Sequence, residues 1–142
     1  MTIPQWALLA FAVWTILVLF GTIGAYRWSR ILTGRSSISE WRADVAQGSD
    51  WYRRAMRAHM NCVENLGVFS AIVFCATMAG AEGGWVDIFA VAVIVSRICQ
   101  TFVHVSFVPS NVTASVRFAF FFIQVMAMLA MAVSVAISAA AT

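Results

Sequence analysis

Four long apolar segments make up most of the 142-residue chain. They cover about residues 3–26, 51–79, 85–107 and 112–139, and each is long enough to cross a hydrocarbon core of ~30 Å as a helix. The composition agrees, because 62% of the residues are hydrophobic and 11% are charged, whereas about 25% are charged in a typical soluble domain. The sequence therefore predicts an all-α integral membrane protein, with residues 1–142 forming a single four-helix domain.

The basic residues predict how these helices cross the membrane. All nine are arginines, and seven of them lie in the stretch 27–57. Arg117 lies near the third loop, whereas the N-terminus and the turn at 80–84 carry no basic residue. The positive-inside rule then places the first and third loops in the cytosol and both termini outside. The first segment lacks a positively charged start and a convincing cleavage site, so we interpret it as a retained helix.

The first loop, residues 27–50, is the one long polar stretch of the chain. Polar loops of this length in compact proteins are often functional. Ser39 is a candidate N-cap for a short helix over residues 40–47.

Charged and amide side chains continue from this loop into the second apolar segment. Arg57, Asn61 and Glu64 fall on one helical face, with two more arginines a turn earlier, while His59 points roughly the other way. Ionisable residues at membrane depth are costly and usually face a bundle interior or a wet cavity. The alternative is a basic anchor at the membrane edge, with Glu64 simply paired to Arg57. An anchor, however, does not need Asn61 and Glu64 on the same stripe.

A second polar stripe lies on the third apolar segment, where Arg97, Gln100 and His104 are spaced at i, i+3 and i+7. Hydrogen bonding between helices would explain Gln100 or His104 but explains Arg97 poorly. Arg97 lies ~15 Å from the end of this segment at a rise of 1.5 Å per residue, and it needs a buried acid. Glu64 is the acid placed within an apolar span, so we predict that Arg97 and Glu64 lie close together.

The sequence offers little support for metal, disulfide or nucleic-acid chemistry. Cys62, Cys75 and Cys99 lie in apolar segments without a CxxC spacing, so we expect reduced, buried, small apolar residues. The two histidines are far apart, and no metal site is predicted. The chain has no lysine and no soluble basic face, so nucleic acid is not an expected partner.

The arginines, Asn61 and Glu64 around one cavity would suit a ligand with several carboxylates and one ammonium group. Arginine binds carboxylates with two parallel hydrogen bonds, and Glu64 would bind the amine. Glutathione has these groups and a thiol. A neighbouring cation lowers the pKa of a thiol, and Arg117 would supply that charge close to the lipid, where an apolar electrophile would reach the sulfur. Phosphate-bearing lipids also attract arginine and are the alternative ligand.

Two runs of the sequence resemble signatures of a known family. The run RAHMNCVEN, which begins at Arg57, resembles the second-helix signature of the MAPEG family, the membrane-associated proteins of eicosanoid and glutathione metabolism. The spacing RxxQxxxH, which begins at Arg97 and is followed by Val116-Arg117, resembles that family's third- and fourth-helix signature. The likeness covers essentially the whole chain. It implies a homotrimer of left-handed four-helix bundles with glutathione bound between subunits, and a bacterial-type member in the inner membrane.

The resemblance also implies roles for individual residues. Arg117 would be the catalytic residue, because it would stabilise the thiolate. The residues that would bind or position glutathione are Arg27, Arg57, Asn61, Glu64, Arg97, Gln100 and His104. The implied function is that of a glutathione-dependent membrane transferase or peroxidase, which acts on lipophilic electrophiles.

Four positions depart from the family pattern. Met60 stands where active members often carry another arginine, Gln100 where many carry histidine and His104 where many carry tyrosine, and Phe118 rather than serine follows Arg117. These changes affect the catalytic side more than the binding side. The alternative function is therefore a catalytically inactive membrane scaffold that binds an anionic lipid or a partner protein. A small multidrug transporter would need an acid in the first helix, and that segment has none.

Overall fold

The computed structural model describes residues 1–42 and 47–141. Helices account for most of this part of the chain: α1 is Ile3–Leu32, α2 is Asp50–Met78, α3 is Gly84–Ser106 and α4 is Asn111–Ala140. Each is long and apolar enough to cross a membrane, and no strand occurs in the described residues. The predicted all-α membrane architecture of four helices is thus confirmed.

Hydroxyl side chains cap α2 and α4 at their N-termini. At the start of α2, Ser49 Oγ accepts a hydrogen bond from the main-chain N–H of Tyr52 at 3.3 Å. At the start of α4, Ser110 Oγ accepts from the N–H of Thr113 at 3.1 Å, and the N–H of Ser110 donates to Thr113 Oγ1 at 2.8 Å. Such caps satisfy main-chain donors that have no partner inside the helix.

The first helix is longer than predicted, because it passes through a π-helical turn and does not end at residue 26. It is α-helical over Ile3–Val18, π-helical over Leu19–Gly24 and α-helical again over Ala25–Leu32. The wider i→i+5 turn admits one extra residue without ending the helix. Arg27 consequently lies on a helix and not in the first loop.

The first loop contains a short 3-10 turn, Ile38–Glu40, in its described part. The main-chain N–H of Ser37 donates to Glu40 Oε2 at 3.2 Å, so Ser37 rather than Ser39 begins this turn. Of the helix predicted over residues 40–47, the described positions 41, 42 and 47 are not helical, and residues 43–46 lie outside the described part of the chain.

Helix α3 is the centre of the bundle, since it packs against α1, α2 and α4 and is the most buried of the four. Each helix contributes at least one fully buried apolar side chain to the core, and large examples are Phe11, Phe69, Val93 and Met131. The rings of Phe11 and Phe69 lie 6.0 Å apart between centroids. The bundle places Asn61 of the α2 stripe beside Gln100 of the α3 stripe. Arg57 and Glu64 of the α2 stripe, by contrast, are exposed.

The three cysteines differ in burial, contrary to the expectation that all would be buried. Cys62 is buried, with its Sγ atom 3.6 Å from Thr101 Oγ1. Cys99 is half-buried and Cys75 is exposed, lining an apolar groove between α2 and α4. The prediction was wrong for Cys75 because an apolar neighbourhood in a membrane segment does not distinguish the core face from the outer face.

Candidate functional site

A cavity of about 220 Å³ lies where α2, α3 and α4 meet, and we call it the Arg117 cavity. Its lining consists of Asn61, Gln100, Ala114, Arg117, Phe118 and Phe121. Three residues predicted for the site, each from a different helix, thus meet at one place. The remaining lining is apolar, so the cavity joins a cation and two amide side chains to a hydrophobic wall.

The apolar wall of this cavity was not predicted from the sequence. Ala114, Phe118 and Phe121 follow the spacing i, i+4 and i+7 on α4, which places them on one helical face with Arg117. That spacing was visible in the sequence. It is shared by many aromatic and small residues of a membrane helix, so only the position of α4 against its neighbours distinguishes this face.

Arg97 is buried beside this cavity and holds one of its lining residues. Its side chain is 1% exposed, and its Nη1 atom donates to Gln100 Oε1 at 2.5 Å. The guanidinium carbon lies 5.7 Å from the ring centroid of Phe11. The Nε and Nη2 atoms have no hydrogen-bond partner in the part of the chain that the structure describes. A buried cation is costly, and the amide oxygen of Gln100 accepts a hydrogen bond from it, with Cys62 as a further neighbour.

Arg97 and Glu64, which were predicted to lie close together, do not form an ion pair. Glu64 is exposed on the outer face of α2 and acts on the guanidinium only as a weaker electrostatic neighbour. Cys62 is the α2 side chain that lies beside Arg97. The physical reason is helical phase, because two residues along a helix correspond to a rotation of ~200°.

His104 lies among the arginines of the site. It is 8% exposed, and Arg54, Arg57 and Arg117 are its charged neighbours, each near enough to act on the imidazole ring electrostatically. The polar stripe of α3 thus extends from buried Arg97, through Gln100 at the cavity, to His104 inside a cluster of positive charge. This cluster would attract an anionic ligand.

Arg27 is held elsewhere, in an aromatic cluster formed by Tyr26, Trp41, Trp51 and Tyr52. Its Nε atom donates to Tyr52 Oη at 2.6 Å, and its guanidinium carbon lies 5.5 Å from the ring centroid of Trp41. Tyr26 stacks on Tyr52 with 4.6 Å between ring centroids. Arg27 therefore ties the first loop to α2 and does not line the Arg117 cavity. The sequence reasoning missed this cluster, although aromatic residues near membrane-helix ends are a known signal.

A second, arginine-lined pocket of about 420 Å³ lies at the start of α2. Its lining consists of Asp50, Arg53, Arg54, Arg57, Val108 and Pro109. Arg53 forms an ion pair with Asp50. The Nε atom of Arg54 is buried and lacks a hydrogen-bond partner among residues 1–42 and 47–141. Of the predicted site residues, only Arg57 contributes to this pocket.

Comparison with known proteins identifies the family of the chain. The model of the MAPEG family matches residues 4–137 of the chain, a stretch that contains every residue predicted for the site. A search of curated proteins and a search of solved structures returned no match. Since the family model covers nearly the entire chain, including all four membrane helices, the protein belongs to the MAPEG family.

Proposed function

We propose that the protein is a glutathione-dependent membrane enzyme, a transferase or peroxidase, that acts on lipophilic electrophiles. Members of this family generally use glutathione as a cosubstrate. The observation that carries the proposal is the convergence of Asn61, Gln100 and Arg117 at one cavity between three helices. The guanidinium of Arg117 would stabilise the glutathione thiolate, which is the nucleophilic form of the thiol.

The size of the Arg117 cavity indicates which part of the ligand it would hold. Small-molecule sites are usually of ~300–1,000 Å³, and this cavity has about 220 Å³. It would therefore take the cysteinyl part of glutathione, with the sulfur near Arg117. The rings of Phe118 and Phe121 provide an apolar surface on which an electrophile from the bilayer would lie next to the sulfur.

The remaining groups of the ligand would bind at the outer face of α2, where Arg57 and Glu64 are exposed. Glu64 lies at the midpoint of α2, Asp50–Met78, so in a membrane-crossing helix it would lie inside the ~30 Å hydrocarbon core. A charged side chain at that depth costs about 3 kcal/mol if it faces lipid. We infer that a second copy of the chain covers this face in a homotrimer, and that glutathione lies between subunits, with its amine at Glu64 and a carboxylate at Arg57.

The same proposal includes the remaining predicted residues and the orientation in the membrane. Arg97 would contribute positive charge near the ligand, His104 would lie among the arginines that surround it, and Arg27 would order the first loop against α2. The arginine-rich first loop would face the cytosol, where glutathione is found, with both termini outside a bacterial inner membrane.

Glutathione binding to the detergent-purified protein, measured by calorimetry, tests this function. We expect saturable binding that Glu64→Gln weakens, because the neutral amide no longer pairs with the ammonium group. Glu82→Gln is the matched control, since Glu82 is an exposed acid in the turn between α2 and α3. Absence of binding to a folded, oligomeric wild-type protein at millimolar glutathione would contradict the proposal.

Turnover separates the role of Arg117 from the roles of the binding residues. With an aryl halide or an organic hydroperoxide, Arg117→Ala should lower kcat by about 100-fold or more, as removal of one oxyanion-type donor does. Its effect on the glutathione Kd should be smaller. Equal losses in binding and in turnover would contradict this division of roles.

The arginine-lined pocket favours a second candidate function, a membrane scaffold that binds an anionic lipid. Three arginines at the start of α2 surround a space of about 420 Å³, and arginine matches the geometry of phosphate oxygens. This candidate predicts no turnover with either electrophile. It also predicts that the purified protein retains an anionic phospholipid, and that Arg53→Gln combined with Arg54→Gln abolishes this retention.

A further inference from the structure

The contact between Arg97 and Gln100 determines which atom of the Gln100 amide faces the Arg117 cavity. A guanidinium group has five N–H donors and no acceptor. The side-chain atom of Gln100 that contacts Arg97 must therefore be the oxygen, whichever way the amide group is drawn. The observed contact, Nη1 to Oε1 at 2.5 Å, has this polarity.

The nitrogen of the same amide is left for the cavity. Gln100 lines the Arg117 cavity, and its Nε2 atom has no hydrogen bond to any residue within 1–42 and 47–141. It is not among the side-chain atoms that are sealed from solvent without a partner. The amide nitrogen is therefore reachable from the cavity that Gln100 and Arg117 both line.

We propose that Arg97 is a positioning residue that fixes the orientation of the Gln100 amide. The cavity then presents only N–H donors on its α3 and α4 sides. These donors select an acceptor group, the ionised sulfur of glutathione. The inference rests on the proposed function and adds to it a preference for the ionised thiol over the protonated thiol. A thiolate accepts hydrogen bonds from Gln100 and Arg117 together, whereas an S–H group is a weak acceptor. Arg97 would act without touching the ligand.

The burial of both side chains supports a fixed orientation. Arg97 is 1% exposed and Gln100 is 4% exposed, so water does not compete for their contact. Rotation of the amide by 180° would place N–H groups against N–H groups and would leave the guanidinium without its acceptor, at a cost that buried unpaired polar groups generally incur. Cys62 also interacts with Arg97, but its sulfur is a weak acceptor and does not replace the amide oxygen of Gln100.

The variant Gln100→Glu tests the proposal, because it keeps the size and shape of the side chain. A carboxylate would pair with Arg97, so we expect the protein to fold with an unchanged or raised Tm. It would also present oxygen to the cavity and repel the thiolate. The glutathione Kd should rise by about 10- to 100-fold, the usual effect of losing a charged hydrogen bond, and the ultraviolet absorbance of bound thiolate should disappear. Gln47→Glu, a loop residue, is the matched control.

Two variants of Arg97 distinguish positioning from a structural role. Arg97→Lys keeps a donor-only cation and should retain the thiolate absorbance, whereas Arg97→Met frees the amide and should raise the pH at which the bound thiol ionises. If wild type binds glutathione and Gln100→Glu binds it equally, with the same thiolate signal, the inference is overturned and the proposed function stands. If wild type does not bind glutathione, the proposed function fails and the inference fails with it.

Discussion

Tyr52 binds Arg27 and holds it away from the ligand site in which its sequence position had placed it. The phenol is 1% exposed and accepts from Arg27 Nε at 2.6 Å, while its ring lies 5.7 Å from the guanidinium carbon. One aromatic residue thus provides both a hydrogen bond and a cation–π contact. This geometry orders the end of α1 against the start of α2.

We expect Tyr52→Phe to remove the hydrogen bond and to keep the ring contact. Loss of a hydrogen bond to a charged group costs about 1.5–3 kcal/mol, so thermal unfolding in detergent should begin at a lower temperature. Glutathione binding should change little, because Arg27 does not line the Arg117 cavity. Tyr26→Phe is the control, since its hydroxyl accepts from the exposed main-chain N–H of Ser49 and not from Arg27. A large loss of binding in Tyr52→Phe would indicate that Arg27 reaches the ligand.

Individual residues differ in how far the sequence could predict their positions. Asn61, Gln100 and Arg117 were identifiable because polar side chains are rare in apolar spans. The pairing of Arg97 was not, since the choice between Glu64 and Gln100 depends on the rotation of α2 against α3. The position of Arg27 depends on how the first loop folds, which no periodic pattern describes.

At the scale of the helices, α4 depends on its cap for the position of Arg117. Ser110 and Thr113 exchange hydrogen bonds at the start of the helix, and Arg117 follows about one turn after Thr113. We expect Ser110→Ala to destabilise this end by about 0.5–2 kcal/mol and to speed amide hydrogen exchange there. Because Arg117 would be less firmly held, turnover should fall as well.

Ser115→Ala is the matched control for this cap variant. Its hydroxyl bonds back to the carbonyl of Asn111 in the same helix, a contact that does not close a helix end. Equal effects of the two substitutions on hydrogen exchange would show that the cap does not fix the start of α4.

Apolar length predicted the existence of the helices but not the internal form of α1. Long apolar runs have few alternatives in a membrane, because main-chain groups must be paired inside the segment. Hydropathy carries no information on whether a turn is α or π, so the continuation of α1 to Leu32 could not be predicted. The loop of residues 27–50 was predicted as polar, and its 3-10 turn was not.

At the scale of the whole molecule, the outer face of α2 combines the exposed residues Arg57 and Glu64 with Gly67. An added Cβ at Gly67 would meet no atom of the same chain within 4 Å. The single chain therefore tolerates a larger residue there, whereas close packing of helices in lipid depends on small residues. A substitution at Gly67 should therefore affect the assembly of several chains and not the fold of one chain.

We expect Gly67→Leu to dissociate the proposed homotrimer without unfolding the bundle. The leucine would fill the space through which another copy approaches α2. Light scattering on the detergent complex measures the oligomeric state, and circular dichroism checks the helical content. Ala10→Leu, on the exposed face of α1, is the control. A variant that stays trimeric would place the subunit interface on a different face.

The π-helical turn at Leu19–Gly24 also bears on how the gene for this protein can vary in length. The turn accommodates one residue more than a regular helix would over the same rise. Removal of one codon within it would restore regular winding and leave Phe11 and Arg27 in their present orientations. The same deletion elsewhere in α1 would rotate everything beyond it by ~100° and separate Arg27 from Tyr52. This turn is the point of the first helix at which one codon can be lost without repacking its two ends.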